Sequence, residues 1–261
     1  MRTRSRNKRE RSHLSKIEDK AQPVTRFVKA IFFDLGETLV TQNIEDSMVT
    51  RKALLEISTF LPVHASPAVL FKIYQKGYRV NDAIRSEYNV EIPIRVWMRQ
   101  LLNRAIGPNV PEYLLSRSVR VVIKKRAANA LPFEDARPTL RSLAKRRIKL
   151  GIISNVSSHD VAIAILRKVR LEKYFHSIVT SAECGVRKPD PGIFRYALYR
   201  LKIRPKDAVV VGDSERHDIQ GGRISGLRTL LINRKRSIGD FSSADFKFET
   251  LADAAETLES L

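Results

Sequence analysis

Residues 28–40 read VKAIFFDLGETLV. Val28 to Leu35 is a short apolar run that closes on an acid, Asp34, with a glycine, Gly36, just beyond. A run apolar at odd and even positions alike is what a strand buried on both faces requires, as in a parallel sheet. Similar runs recur at 148–154 (IKLGIIS), 177–181 (SIVTS), 208–212 (AVVVG) and 228–232 (RTLLI). Helical patterns lie between them. Ser157 or Ser158 can cap a helix running to about Arg170, Pro191 suits the first turn of one ending near Leu201, and Asp218 opens one closing near Gly226. Strands alternating with helices predict βαβ units, and right-handed crossovers place every strand's C-terminal end on one edge of the sheet.

Residues 43–130 break the pattern. They hold almost no strand-like run and instead offer four amphipathic segments, 45–60, 67–88, 93–106 and 111–127, punctuated by Pro62, Pro67, Pro93, Pro108 and Pro111. The chain returns to the strand–helix pattern at LPFEDARPTL, with a helix beginning near Asp135. The simplest organisation is an all-helical insert, 43–130, between the first strand and the rest of an α/β domain made of 27–42 and 131–261.

Composition bounds the rest. The chain has 261 residues, 43% hydrophobic and 29% charged, which suits one large or two small globular domains with a real core. Its single cysteine, Cys184, excludes a disulfide framework and a cysteine zinc site. The five histidines show no metal-ligand spacing. The longest apolar runs, such as Val161 to Leu166, are far below a membrane span of about 18 residues. Lys and Arg number 48 against 28 Asp and Glu, for a net charge of +20. Residues 1–26 hold nine basic and three acidic residues, and the remainder is basic as well. The plain reading is a solvated basic surface. The alternative is attraction to phosphorylated ligands, nucleic acid or anionic membrane. The tail lacks the apolar core of a secretory signal, and its acids and irregular spacing argue against a transit peptide, so it is expected to be disordered and the protein cytoplasmic.

Four short stretches fall just past strand C-termini, where open α/β sheets bind ligands. They are Asp34-Leu35-Gly36-Glu37-Thr38, Ser154-Asn155, Lys188-Pro189-Asp190-Pro191, and Gly212-Asp213 through Asp218. Singly, each has an ordinary explanation: a turn, a helix cap or a surface lysine. Together they bring three acids, a hydroxyl and a lysine to one edge. Carboxylate oxygens suit Mg²⁺, lysine and backbone N–H groups suit phosphate, and an ionised Asp beside both can act as a nucleophile.

In their order and context, IFFDLGETLV, LGIISNVS, GVRKPDPGIF and VVVGDSERHDIQGGRISGLRTLLI resemble the haloacid dehalogenase-like (HAD) hydrolase superfamily, and the insert falls where that family's type-1 helical cap lies. The resemblance covers about 27–42 and 131–261. It implies a Rossmann-like parallel sheet with helices on both faces plus an inserted all-helical cap. It further implies that Asp34 is the nucleophile, giving an aspartyl-phosphate. Ser154 and Lys188 would hold the phosphoryl oxygens, with Lys188 also neutralising Asp34. Mg²⁺ would be held by Asp34, the Gly36 carbonyl, Asp213 and Asp218, while Thr38 and Asn155 order the phosphate loop.

One position departs from the family. Its phosphatases carry a second Asp two residues after the nucleophile, which protonates the leaving group and later activates water. Here that residue is Gly36. Loss of a general acid/base costs about 10²–10⁴ in rate. Glu37 is adjacent, but its side chain leaves the strand in another direction. The reading favoured is a Mg²⁺-dependent phosphatase of a small phosphorylated metabolite. The alternatives are a 2-haloacid dehalogenase, whose attack on carbon needs no metal, and a non-catalytic or weakly active HAD-like binding or regulatory protein, with nucleic acid as its partner. Keeping both Asp213 and Asp218 argues against the first alternative. Neither nucleic acid nor membrane is expected as a partner. In the cap, Tyr78, Arg79, Trp97 and Arg99 are the candidates for specificity, although Trp97 with Leu101 also suits a helix core.

Overall fold

The computed structural model of the protein describes residues 28–63, 65–234 and 242–261. The basic tail expected over 1–26 lies outside the described residues. Six strands form one all-parallel sheet: β1 (Ala30–Phe33), β4 (Lys149–Ser154), β5 (Ser177–Thr180), β6 (Ala208–Gly212), β7 (Arg228–Ile232) and β8 (Phe246–Phe248). Two further strands, β2 (Val40–Gln42) and β3 (Ala130–Pro132), pair antiparallel as a small ribbon. The sheet order is β5-β4-β1-β6-β7-β8. The chain builds outward from β1 in both directions, so the strand order reverses at β1, and its C-terminal end is the crevice where ligands of such sheets bind.

The apolar runs become strands because both sheet faces are covered. In β1, Ile31 and Phe33 face one core and Ala30 and Phe32 the other. In β6, Val209 and Val211 oppose Ala208 and Val210 in the same way. Helices α5 (Ala136–Ala144), α6 (His159–Lys168) and α10 (Ala255–Ser260) supply Leu140, Leu143, Leu166 and Leu258 to the first core. Helix α8 (Pro191–Leu201) supplies Ile193, Phe194 and Leu201 to the second. The short helices α7 (Ser181–Cys184) and α9 (Gly221–Ile224) complete the set.

Between the two ribbon strands run α1 (Asp46–Ser58), α2 (Pro67–Tyr88), α3 (Ile94–Ile106) and α4 (Glu112–Asn129). Their starts follow the sequence signals. Ser66 accepts a bond from the Val69 amide and Pro67 opens α2, while Pro93 and Pro111 stand just before α3 and α4. They enclose a core of their own, with Leu54, Ile57, Leu70, Leu102 and Leu115 buried, each worth about 1.5–3 kcal/mol on burial. At the ribbon, the Asn129 side chain bonds both the amide and the carbonyl of Ile44. No helix among the described residues is long and apolar enough to cross a membrane.

One expectation is corrected, and two elements were not anticipated. Asp218 does not open a helix: Ser214 caps a wide turn over Glu215–Gln220 by accepting from the His217 amide, and Asp218 lies inside that turn. Strand β8 and the β2–β3 ribbon went unforeseen, because segments of three residues are too short to show a period.

Candidate active site

Asp34 directly follows the last residue of β1, and its amide bonds the Val211 carbonyl of neighbouring β6 at 2.8 Å, so the sheet ladder fixes its backbone. Strands β4 and β6 flank β1 and deliver Ser154 and Asp213 at the same level. Lys188 reaches in from the loop before α8. Its Nζ lies 2.5 Å from Asp34 Oδ1, 2.6 Å from Asp218 Oδ1 and 2.8 Å from the Ile153 carbonyl. Asp34, Lys188 and Asp218 are 8%, 2% and 1% exposed. A lysine this buried is tolerated only because carboxylates surround it.

Two local devices hold these groups. Asn155 and Lys188 clasp each other: the Lys188 amide bonds Asn155 Oδ1 at 2.8 Å, and Asn155 Nδ2 bonds the Lys188 carbonyl at 2.9 Å. Gly212 makes room for Asp218, since a Cβ there would come within 2.2 Å of the Asp218 carboxyl carbon. The same carboxylate also accepts from the Ser214 amide at 3.1 Å.

Charge is unbalanced at the centre. Burial, then the neighbouring Asp218 and Asp213, push the Asp34 carboxyl up to about 7, against the pull of Lys188. Burial and Asp218 push Asp213 up to about 6. Burial alone would lower Lys188, but Asp218 and Asp34 more than reverse this and hold its ammonium above the ordinary value. Asp34, Asp213 and Asp218 each offer an oxygen within 4.8 Å of the others. Three clustered carboxylates facing one lysine fit a hard divalent cation with oxygen ligands. Gly36 also lines the cleft.

The cleft has a volume of about 510 Å³, within the range of small-molecule sites. Asp34, Gly36, Ser154, Asn155, Lys188, Asp213 and Asp218 all line it. Thr38 does not. It is fully buried, its hydroxyl finds no partner among the described residues, and its carbonyl accepts from Arg234. The four residues singled out in the helical insert do not line the cleft itself. Tyr78 and Trp97 pack together, ring centroids 5.4 Å apart, and line a small neighbouring cavity that shares Val49 and Arg126 with the cleft. Arg79 borders an outer groove, and Arg99 pairs with Glu112 on the surface. The insert presents Asp46, Val49, Arg126 and Asn129 to the cleft instead, with Arg126 ion-paired to Asp46. Arg187, His217 and Glu37 also line the cleft. Sequence reasoning missed all of these except Glu37. Arg187 and His217 sit beside recognised residues, but the others come together only through the packing of α1 against α4.

A comparison with solved structures finds the 2-haloacid dehalogenase of Pseudomonas syringae pv. Tomato DC3000, 25% identical with a TM-score of 0.67, covering 89% of this chain and 99% of that one. Among curated proteins, the glyceraldehyde 3-phosphate phosphatase of Methanopyrus kandleri is 30% identical over 79% of this chain and 84% of its own. Its namesake in Pyrococcus furiosus is 28% identical over 87% and 88%. The family model for haloacid dehalogenase-like hydrolases matches residues 28–226, which span β1, the helical insert and every strand end of the cleft. The chain therefore belongs to the haloacid dehalogenase-like hydrolase family.

Proposed function

We propose that the protein is a Mg²⁺-dependent phosphatase of a small phosphorylated metabolite, working through an aspartyl-phosphate on Asp34. The observation that carries this reading is the Lys188 ammonium bonded to Asp34 and Asp218, with Asp213 alongside. Residues 27–42 and 131–261 act as the catalytic core, and 43–130 as the cap that closes the cleft.

Asp34 Oδ attacks phosphorus, the ester P–O bond breaks, and the leaving oxygen departs with the bonding pair. Water then attacks the phosphorus of the acyl phosphate, releasing inorganic phosphate and restoring the carboxylate. Ser154 and Lys188 hold the phosphoryl oxygens, and Asn155 fixes the Lys188 backbone so that its charge is in place before substrate arrives. Asp34, Asp213, Asp218 and the Gly36 carbonyl would hold Mg²⁺, which supplies charge neutralisation for the transferring group. The relatives named glyceraldehyde 3-phosphate phosphatase favour a small phosphorylated substrate.

A second reading, displacement of halide from a 2-haloacid, is favoured by the likeness to the Pseudomonas dehalogenase and by glycine at position 36. That attack on carbon gives the Asp213–Asp218 pair no metal to hold. A panel of phosphate monoesters, glyceraldehyde 3-phosphate included, assayed with Mg²⁺ and with EDTA, separates the two. Phosphate release that EDTA abolishes is the expected result. Halide release from 2-chloropropionate insensitive to EDTA would replace the phosphatase reading.

A further inference from the structure

The cap is joined to the core at a second place besides the β2–β3 ribbon. The segment between α2 and α3 runs beside the lysine loop as a miniature antiparallel pair. Val90 bridges Val186, the Glu91 amide bonds the Gly185 carbonyl at 2.8 Å, and the Arg187 amide bonds the Asn89 carbonyl at 2.7 Å. The Ile94 amide bonds the Ser157 carbonyl at 2.6 Å, just past Ser154 and Asn155. Both loops that carry phosphate-holding residues are therefore tied to one cap segment.

Glu91 is the centre of this contact. Its side chain is 0% exposed. It accepts from Ser181 Oγ at 2.5 Å and from the Arg187 guanidinium, with Arg85 Nε at 3.8 Å. Ser181 Oγ in turn accepts from the Val156 amide, beside Asn155, and Arg187 directly precedes Lys188. A buried carboxylate is costly unless paired, and here every partner except Arg85 comes from the core, at the start of α7 and in the lysine loop, or from the adjacent Ile92 amide. The cap cannot swing on its ribbon without withdrawing that carboxylate from Ser181 and Arg187.

We propose that Glu91 is a latch, a positioning residue through which cap closure sets the placement of the Lys188 and Ser154–Asn155 loops. This rests on the phosphatase reading of the same site. In the latched state the phosphate-holding groups are assembled. When the latch opens, the Lys188 loop loses its bonds to Asn89 and Glu91 and is held by the Asn155 clasp and by the Lys188 ammonium's own bonds to Asp34, Asp218 and the Ile153 carbonyl. Weakening the latch lowers the fraction of protein competent to bind phosphate, and apparent affinity falls by that fraction. Substrate at saturation restores closure, so turnover changes less than affinity.

The chain carries its own reporter. Trp97, its single tryptophan, donates from Nε1 to the Ile92 carbonyl at 2.7 Å, one residue from Glu91. The test uses the full chain with Mg²⁺ and inorganic phosphate. Glu91→Gln keeps a neutral hydrogen-bonding group and loses the charge facing Arg187, whereas Glu91→Ala loses both. KM and the phosphate inhibition constant should rise in that order, by about tenfold for Glu91→Ala, with kcat within about threefold. Trp97 emission should change in the free variants and return to the wild-type value at saturating phosphate. In the wild type, which needs no variant to fold, phosphate should slow hydrogen exchange at the Glu91 and Arg187 amides. Unchanged affinity in soluble variants, or exchange at those amides indifferent to phosphate, would overturn the latch. A wild type that neither binds phosphate nor hydrolyses any phosphate monoester defeats the phosphatase reading instead.

Discussion

Lys188 Nζ lies 2.5 Å from Asp34 Oδ1, across 154 positions of sequence, and both groups are buried. The carboxylate proposed as nucleophile and the charge beside it are therefore set in place by the fold before any substrate arrives. Replacing Asp34 by Asn keeps size and hydrogen bonding but removes the nucleophilic charge. Asp34→Asn should retain the fold by circular dichroism and lose turnover by about 10⁴-fold or more, the scale seen when an activated nucleophile is removed. Activity near the wild-type level would remove Asp34 from the reaction.

Lys188→Met removes one partner of a buried cluster and leaves Asp34 and Asp218 facing each other. Breaking such a pair costs about 3–5 kcal/mol. Urea denaturation in EDTA should show this loss, and Lys188→Arg should not restore activity, because a planar guanidinium cannot replace a compact ammonium between two carboxylates.

The carboxyl pKa values give a pH signature. Asp34 at about 7 and Asp213 at about 6 both lie above the ordinary 3.8. Between the ordinary and the raised values the folded protein binds more protons than the unfolded chain, so metal-free stability falls as pH rises from about 4 to 7. A divalent cation takes the deprotonated carboxylates and offsets this loss. Mg²⁺ at a hundredfold excess over its Kd should stabilise by about 2.7 kcal/mol where the carboxylates are ionised. The Tm increase should thus be larger at pH 8 than at pH 5.5. Scanning calorimetry with and without Mg²⁺ checks the sign, and an increase greater at the lower pH would contradict it.

Gly36 is a clean site for substitution. A Cβ there meets nothing within 4 Å, and its φ lies outside the left-handed region. Wild-type rates should climb steeply as leaving-group pKa falls, favouring acyl and aryl over alkyl phosphates. Gly36→Asp should fold normally, flatten that dependence and speed alkyl ester hydrolysis by about 10²-fold or more. A flat dependence in the wild type would show that another group donates the proton, with Glu37, on the cleft wall, the next to replace.

The cleft wall predicts which residues of the helical insert matter. Arg126→Ala opens a cation-lined wall and should change KM by different factors across a substrate panel. Arg99→Ala removes an exposed pair with Glu112, worth about 0–1 kcal/mol, and should leave every KM unchanged.

The strand ends were legible because strands buried on both faces read as unbroken apolar runs, and Asp34, Ser154 and Asp213 follow such runs directly. The insert was legible through proline: Pro67 opens α2, and Pro93 and Pro111 precede α3 and α4. What escaped depends on distant pairs. Glu91 and Arg187 meet across 96 positions, and Asp46 and Arg126 across 80, so no local period marks them. Tyr78 and Trp97 pack on each other beside the cleft and not on its wall, because large aromatic side chains suit a helical core as well as a substrate site.

The central claim is a phosphoryl group carried on Asp34. With Gly36 supplying no base for the second step, the phosphorylated enzyme should accumulate. Rapid acid quench after mixing with Mg²⁺ and an aryl phosphate, followed by mass spectrometry of the peptide containing residues 28–40, should show one phosphoryl group on Asp34. Release of product in multiple turnovers from a protein whose Asp34 peptide never gains that mass would contradict the account.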